Sequence, residues 1–322
     1  MTRIVLTRIV FLYCSGVKKC FILCLIEDLP ENYANVKKML DLLDIGSIQH
    51  HLACDLKLQN ILVGIQGHSA THPCVYCTAK KPWDQPGELR TLGGIKQQVK
   101  DFQNAPKSKK IPKNFFNCIH EPLIVGDDED RIIDILPLAE LHLVLGITNT
   151  LLFKLNSLAG NDLVIKWTKK LNCFQEKFGS KQFNGERCVI LLNKIDTLTK
   201  KLPRKLKFFG TALSAFNEVR KCAFGDELGE DYRAKIATFE SAFMNIGPDQ
   251  AVFPKAHIVF HHLADFLDEH GALGQFNEQT FESVHYSFAN HMDTSKYSRH
   301  LDHPEHGKFL KKGVIDYNTM RI

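Results

Sequence analysis

One Cys-x2-Cys pair, formed by Cys74 and Cys77 in the segment HPCVYC, constrains the fold of this chain more than any other feature. The pair places two thiolates on one tight turn, which is the geometry that a tetrahedral zinc site requires. Several of the other cysteines stand singly in apolar surroundings, as Cys188 does in RCVILL, and are typical of buried side chains in a reducing compartment. A disulfide framework is therefore not expected, and the fold must bring further ligands to the turn.

Two sets of histidines can complete such a site. His68 and His72 lie close to the pair and would form a local His-x3-His-x-Cys-x2-Cys site. His257, His261 and His262 lie on a predicted helix in the C-terminal third of the chain. Side chains three to five positions apart on a helix can converge on one ion, and such a site would join the two ends of the chain. The residue pattern alone leaves both alternatives open.

Short apolar runs in the first 55 residues predict an α/β arrangement. Basic residues interrupt the apolar stretch over 1–28, so it is too short to span a bilayer and is interpreted as two buried strands. Residues 21–26 predict a strand, 31–45 a helix, and 45–55 a second strand that ends at Asp55. The order strand, helix, strand, with an acid at the end of a strand, indicates an α/β layer with a parallel pair.

The segment after Trp83 is predicted to be an exposed connection, and the chain from Asp134 to about Phe243 is predicted to be mostly helical. A net charge of +5 suits a polyanionic partner, and an apolar fraction of 44% is ample for a large core. A Gly-, Pro- and Lys-rich segment contains Lys107, Lys109, Lys110 and Lys113. These lysines either form a solvated loop or contact phosphates. A second basic run, KKLPRKLKFF, separates two predicted helices.

Two acids stand out besides the candidate zinc ligands. Asp55 ends a predicted strand, and Glu282 lies on the predicted helix that follows the histidines, with Glu278 as a rival one turn earlier. Carboxylates placed in this way hold two Mg²⁺ ions in phosphoryl-transfer sites, where the ions clamp the attacking and leaving oxygens. Either acid taken alone is only a weak indication of such a site.

The order and spacing of these residues resemble the catalytic core of Transib-type transposases and of the V(D)J recombinase catalytic subunit. The most specific elements are Asp-x18-Cys-x2-Cys, which begins at Asp55, and His-x4-His-x19-Glu, which ends at Glu282. Similar stretches are PLAELH followed by Thr-Asn, KQFNGERCVILLNK, and LADFLDEHGALGQFNEQTFES. The resemblance covers about residues 20–290, thinly over 80–126 and weakly over 195–250.

This resemblance implies a partial RNase H-like α/β fold that a long helical insertion interrupts and a zinc site closes. It implies three units along the chain. Residues 1–82 would form the N-terminal part of the RNase H-like domain, and residues 83–250 the mostly helical insertion with basic loops. Residues 251–322 would contain the paired histidines, the helix of the catalytic Glu and a tail.

Specific roles for individual residues follow from the same resemblance. A structural zinc ion is implied on four residues, Cys74, Cys77, His257 and His262. Catalytic Mg²⁺ or Mn²⁺ is implied on Asp55 and Glu282. The family spacing favours His262 over His261 and Glu282 over Glu278. His142 falls on a family position where it contacts a phosphate or the leaving group.

The resemblance implies that the partner is DNA and that the protein is located in the nucleus. A homodimer is compatible with the resemblance, and no membrane partner is expected. The family uses three acids, the first on the opening strand of its fold, whereas Asp28 follows what is predicted to be the third strand. We therefore expect a truncated copy whose metal-dependent DNA strand cleavage and transfer is inactive as it stands. The alternative is a non-enzymatic, zinc-stabilised module that binds DNA or another protein.

Overall fold

The structure of the protein is a computed structural model, and it describes residues 29–43, 54–67, 69–160, 162–175, 182–247, 251–276 and 306–319. Helices dominate these residues. In chain order they are α1 (Tyr33–Leu43), α2 (Leu56–Val63), α3 (Leu92–Asn104), α4 (Ile132–Ile135), α5 (Glu140–Ala159), α6 (Leu163–Lys170), α7 (Gly185–Asn193), α8 (Ile195–Thr199), α9 (Lys207–Ala223), α10 (Tyr232–Met244), α11 (Pro254–His261), α12 (Leu263–His270) and α13 (His306–Thr319). Short 3-10 helices occupy Pro112–Phe115, Arg204–Leu206 and Leu273–Phe276.

Helix α5 lies at the centre of the helical core because it is apolar on more than one face. Its residues Leu143, Ile147 and Leu151 repeat at i+4 spacing and are all 0% exposed. Helices α6, α7, α9 and α11 pack against it. Burying each of these side chains contributes about 1.5–3 kcal/mol relative to leaving it in water. The long apolar helix therefore organises the elements around it.

A cluster of phenylalanine rings fixes α11 against the rest of this core. The ring of Phe260 on α11 lies 5.2 Å from Phe239 and 5.4 Å from Phe243, both on α10, measured between ring centroids. Phe239 also packs on Phe216 of α9 at 5.1 Å. Tilted and edge-on aromatic pairs at these separations each add about 0.5–1.5 kcal/mol beyond the area they bury. The cluster therefore holds the helix that carries His257 in one position.

Residues 54–138 form a layer with little regular structure outside α2 and α3. Helix α2 ends at Gly64, whose φ is +79° and where a Cβ would lie 2.0 Å from the carbonyl oxygen of His120. Only glycine fits this close approach with a left-handed backbone. Isolated antiparallel bridges connect the remaining segments and pair Ile65 with Cys118, Cys77 with Leu89, and Thr91 with Arg131.

The predicted α/β class is wrong for the described residues, which contain helices and no β-strand beyond those isolated bridges. Asp55 begins a helix instead of ending a strand, because its carboxylate accepts a hydrogen bond of 2.8 Å from the backbone N–H of Leu58. The partial RNase H-like fold is therefore not observed here. The strands predicted over 1–28, and all but the last two residues of 45–55, lie outside the described residues.

The predicted helices agree better with the structure. The helix predicted over 31–45 is confirmed by α1. The prediction that His257, His261 and His262 lie on one helix is wrong, because α11 and α12 are separated at His262, where φ is −128° and ψ is −24°. None of the helices in the described ranges is both long enough and apolar enough to cross a membrane.

Candidate metal centre

The turn that contains the two cysteines is attached to the protein through Tyr76, which lies between them in the sequence. Tyr76 is 1% exposed, and its hydroxyl lies 3.0 Å from the side-chain oxygen of Gln59 and 3.3 Å from the carbonyl of Pro137. The Gln59 amide in turn donates to the Pro137 carbonyl at 2.9 Å. Buried polar groups need such partners, so these bonds fix the turn between α2 and the segment that precedes α5.

Arg90 is a buried cation that holds the same turn from another side. It is 4% exposed, and its Nε donates to the carbonyls of both Cys74 and Cys77 at 3.0 Å. Its Nη2 donates to the carbonyls of His72, at 3.2 Å, and Phe116, at 2.9 Å. The guanidinium makes no ion pair with a carboxylate in the described part of the chain. Backbone carbonyls accept hydrogen bonds from the guanidinium instead, and one side chain therefore holds both ends of the turn.

The two histidines that face this turn lie on either side of the break between α11 and α12. Five positions along a continuous helix rotate a side chain by about 500°, so the two rings would point about 140° apart. The backbone change at His262 removes this mismatch and places its Nε2 3.2 Å from Nε2 of His257. Both histidines are 1% exposed.

Four side chains therefore converge on one point, with all four potential ligand atoms within 4.8 Å of one another; they are those of Cys74, Cys77, His257 and His262. Cys74 Sγ lies 3.4 Å from His262 Nε2, and Cys77 Sγ lies 3.3 Å from His257 Nε2. Cys77 and His257 are 180 positions apart in the sequence. Among the described residues this is the one group of three or more Cys, His, Asp or Glu side chains that could hold a metal ion.

The surroundings of the two imidazoles fit such an ion. His257 Nδ1 lies 3.0 Å from the carbonyl of Trp83, so it carries the proton and leaves Nε2 unprotonated towards the centre. His262 Nδ1 is buried and has no hydrogen-bond partner among the described residues. The ring of Tyr76 packs on the His262 ring at 5.5 Å. Two thiols and two imidazoles, all buried, are the donor set of structural metal sites.

The two thiols differ in their affinity for a proton. Burial raises the pKa of Cys74 well above its ordinary value, and its neighbour Cys77 raises it further. The pKa of Cys77 is lowered, chiefly because Cys74 donates a hydrogen bond to it, although burial opposes this effect. Cys74 therefore holds a proton more tightly than Cys77 does. A bound metal would displace the proton of Cys74.

The other candidate histidines do not join the group. His72 Nδ1 lies 2.8 Å from the carbonyl of Thr78, and its ring packs edge-on against Phe116. His68 lies outside the described residues. His261 packs its ring against His257 at 4.9 Å, and burial, together with the neighbouring histidines, lowers the pKa of His261 to about 4. His261 is thus a neutral neighbour of the site at pH 7.

The predicted magnesium ligands are not brought together in the described residues. Asp55 caps α2, and it belongs to no group that could hold a metal ion within the ranges that the structure covers. Glu282 and its rival Glu278 both lie outside those ranges. The assignment of Asp55 and Glu282 as Mg²⁺ or Mn²⁺ ligands therefore stays a prediction.

The predicted DNA contacts lie on two separate elements. His142 is half-buried in the first turn of α5. The lysines of the first basic run, Lys107, Lys109, Lys110 and Lys113, are all exposed. Lys110 donates to the carbonyl of Gln103 at 3.1 Å and lies 5.2 Å from the centre of the Phe102 ring. Contact of these residues with DNA stays a prediction.

Two residues that support the site were missed in the sequence. Arg90 gives no local signal, because its acceptors are mostly backbone carbonyls, which any residue type supplies. Tyr76 offers a weak signal, since an aromatic residue inside a Cys-x2-Cys turn is large enough to anchor that turn in a core. Identifying either one requires knowing which segments pack against the turn.

Comparisons with known proteins add no relative to this picture. No protein-family model matches the chain, and no curated protein matches it.

Proposed function

We propose that the Cys74, Cys77, His257 and His262 site binds one zinc ion. Zinc–sulfur bonds of about 2.3 Å and zinc–nitrogen bonds of about 2.0–2.1 Å around a tetrahedron place two nitrogens about 3.3 Å apart, and a sulfur and a nitrogen about 3.6 Å apart. The corresponding separations are 3.2 Å between the two Nε2 atoms, and 3.4 Å and 3.3 Å for the two sulfur–nitrogen pairs. These three pairs of donor atoms thus already stand at nearly the spacing that zinc requires.

The proposed zinc is structural. Catalytic zinc sites keep one coordination position open for water or substrate, whereas structural sites use four protein ligands. Here four protein donors surround the centre, and all four side chains are buried. The ion would stabilise the fold by joining segments that are distant in the sequence, and it would take no direct part in a reaction.

We propose that the function of the chain is that of a zinc-stabilised DNA-binding protein of the transposase and recombinase type. The observation that carries it is the convergence of the four side chains that the resemblance names as zinc ligands, although Cys77 and His257 are 180 positions apart. If the similarity in spacing were due to chance, these four side chains would not be expected to converge. The net charge of +5 favours a polyanionic partner. The RNase H-like fold is not part of this proposal.

Metal analysis and DNA binding test the two halves of the proposal separately. Elemental analysis of the purified protein should find about one zinc per chain. Fluorescence anisotropy should detect binding to a duplex of about 30 base pairs, with a dissociation constant of about 1–100 μM that weakens steeply with salt. A chain without zinc contradicts the proposal. Zinc without salt-sensitive DNA binding would favour a protein-interaction module.

Variants of Asp55 test separately whether the protein cleaves DNA strands. We expect no nicking of supercoiled DNA in Mn²⁺, because the carboxylate of Asp55 caps a helix by accepting a hydrogen bond from Leu58. Nicking that Asp55→Asn abolishes would overturn this expectation. Asn keeps the capping oxygen and removes the charge, so the fold should remain intact, whereas Asp55→Ala should cost about 1 kcal/mol of stability. Comparing the two variants separates capping from catalysis.

A further inference from the structure

Exposed cations gather where α6 meets the connection between α8 and α9. They are Lys166, Lys169 and Lys170 on α6, and Lys194, Lys200, Lys201, Arg204, Lys205 and Lys207 around the connection. These residues are called the basic surface below. All of their side chains are exposed. The only acids within 162–170 and 194–207 are Asp162 and Asp196.

A hydrogen bond joins the two parts of the basic surface. Trp167 Nε1 on α6 donates to the hydroxyl of Thr197 on α8 at 2.9 Å, and the same hydroxyl donates to the carbonyl of Lys194 at 2.7 Å. Lys170 is one turn from Trp167, and Lys200 and Lys201 are one turn from Thr197. The cations of the two elements are therefore neighbours in space, although they lie some 30 positions apart in the sequence.

The connection between α8 and α9 is an ordered support for these charges. Leu202, Leu206 and Phe209 point inwards and are 4%, 6% and 3% exposed. Backbone hydrogen bonds close successive turns, with Lys201 donating to Leu198 at 2.8 Å and Leu206 donating to Pro203 at 2.8 Å. The apolar residues anchor the segment, and its lysines and arginine are left to face solvent. Less ordering entropy is therefore lost when a ligand binds there.

The cations of the basic surface, apart from Lys166, form no ion pair with any residue that the structure describes. Lysines elsewhere differ: Lys96 pairs with Asp128 at 2.7 Å, and Lys221 with Glu218 at 2.8 Å. Unneutralised charges of one sign on a fixed surface create a local positive potential for an anionic partner.

Charge is also separated along α9. The basic surface lies at its N-terminal end, and the segment after its C-terminal end carries exposed acids, which are Asp226, Glu227, Glu230 and Asp231. The two ends are about 25 Å apart, since α9 has 17 residues. An extended polyanion would therefore be attracted more strongly to the basic end of α9 than to the other end.

We propose that the basic surface binds the phosphate backbone of duplex DNA. The inference deepens the proposed function and rests on it, because it assigns DNA binding to a surface other than the predicted Lys107–Lys113 run. An anionic membrane fits less well, since a membrane-binding surface also needs apolar side chains to insert. Over 163–171 and 194–209, the only exposed large apolar side chain is Phe208.

Salt-dependent affinity measures how many phosphates the surface neutralises. A triple variant, Lys200→Gln, Lys201→Gln and Lys205→Gln, should lower the slope of log affinity against log salt by about 0.9 per lysine. It should also bind DNA about tenfold or more weakly at moderate salt. The matched control replaces three lysines that form ion pairs elsewhere, Lys96→Gln, Lys221→Gln and Lys235→Gln, which removes the same charge. The control should keep the slope of the unmodified protein.

Further measurements separate the remaining outcomes. Both triple variants should retain about one zinc and the melting temperature of the unmodified protein, and the triple Lys→Arg variant at 200, 201 and 205 should restore binding. Equal slopes for the two Gln variants would overturn the inference and leave the proposed function standing. An unmodified protein that does not bind DNA would remove both. Binding to phosphatidylserine vesicles in place of DNA would replace the nucleic-acid partner with a membrane.

Discussion

His262 shows how one backbone position decides the composition of the metal site. On an uninterrupted helix, His261 would lie about 40° from His257 around the axis and would be the better partner in a two-histidine site. The break between α11 and α12 turns the His262 ring towards the two sulfurs instead, and His261 is left with a buried Nε2 that has no partner in the described residues. The choice between neighbouring histidines is thus made by backbone geometry.

Replacing each of these histidines in turn tests that assignment. His262→Ala should lose most of the bound zinc, because the site would keep only three ligands. His261→Ala should retain about one zinc per chain, because His261 contributes no ligand atom. Elemental analysis and the rate of zinc transfer to a chromogenic chelator measure both variants. The assignment fails if the two variants lose zinc equally, or if only His261→Ala loses it.

Between elements, a charged contact joins the short helix α4 to α12. Arg131 donates two hydrogen bonds to Asp134, at 2.7 Å and 2.9 Å, and His270 of α12 lies 3.0 Å from the same carboxylate. Burial raises the pKa of Asp134, but the hydrogen bonds from Arg131 and His270 outweigh it, so the pKa lies below its ordinary value. The carboxylate form therefore stabilises the folded state, and it does so next to the helix that begins at the metal site.

Asp134→Asn should consequently lower the free energy of unfolding by about 1 kcal/mol at pH 7, as expected for a partly exposed charged contact. A lowered folded-state pKa gives stability that is present above the ordinary value near 3.9 and is lost as pH falls through the folded value. The difference between variant and unmodified protein should thus shrink below about pH 4. Urea titrations at pH 7 and pH 3 measure this difference in the free energy of unfolding.

Asp128 provides the control for this prediction. Its carboxylate pairs with Lys96 at 2.7 Å, but the two side chains are 68% and 42% exposed. Exposed pairs contribute little, so Asp128→Asn should change stability by no more than a few tenths of a kcal/mol at either pH. A loss for Asp128→Asn as large as that for Asp134→Asn would mean that the measurement reports overall charge and not the contact between α4 and α12.

For the whole molecule, the metal site joins the irregular N-terminal layer to the helical core. A structural zinc contributes about 10–16 kcal/mol of apparent binding free energy, which is comparable to the entire stability of a typical domain, about 5–15 kcal/mol. Without the ion, the contact between the cysteine turn and the histidine segment depends on the hydrogen bond between His257 and the Trp83 carbonyl, the ring contact of Tyr76 with His262, and the surrounding apolar packing. The association of the two ends of the chain should therefore depend on the metal.

Removing the metal tests this dependence. Prolonged treatment with 1,10-phenanthroline should lower the melting temperature by about 10 °C or more, since each kcal/mol corresponds to about 2–4 °C in a protein of this size. Calorimetry measures the shift, and added zinc should reverse it. The Cys77→Ser variant provides the control and should be nearly insensitive to the chelator. An unchanged melting temperature for the unmodified protein would mean that no structural metal is present.

Helices were predicted well where several local features of the sequence indicated the same helix. Helix α1 lies inside the segment 31–45, which was predicted to be a helix. The α/β prediction failed because an acid before an apolar run is consistent with two structures. Asp55 could end a strand or cap a helix, and the hydrogen bond to Leu58 decides for the helix. The local sequence pattern alone does not distinguish the end of a strand from the start of a helix.

The sequence by itself determined one half of the metal site. Two cysteines separated by two residues can be at most about 11 Å apart, so a single turn brings both sulfurs to one ion. Tertiary structure decided the other half, since packing brings His257 180 positions along the chain to Cys77 and the break at His262 turns the second ring inwards. Spacing within one turn is a covalent constraint, whereas contact between distant segments depends on the packing of the whole core.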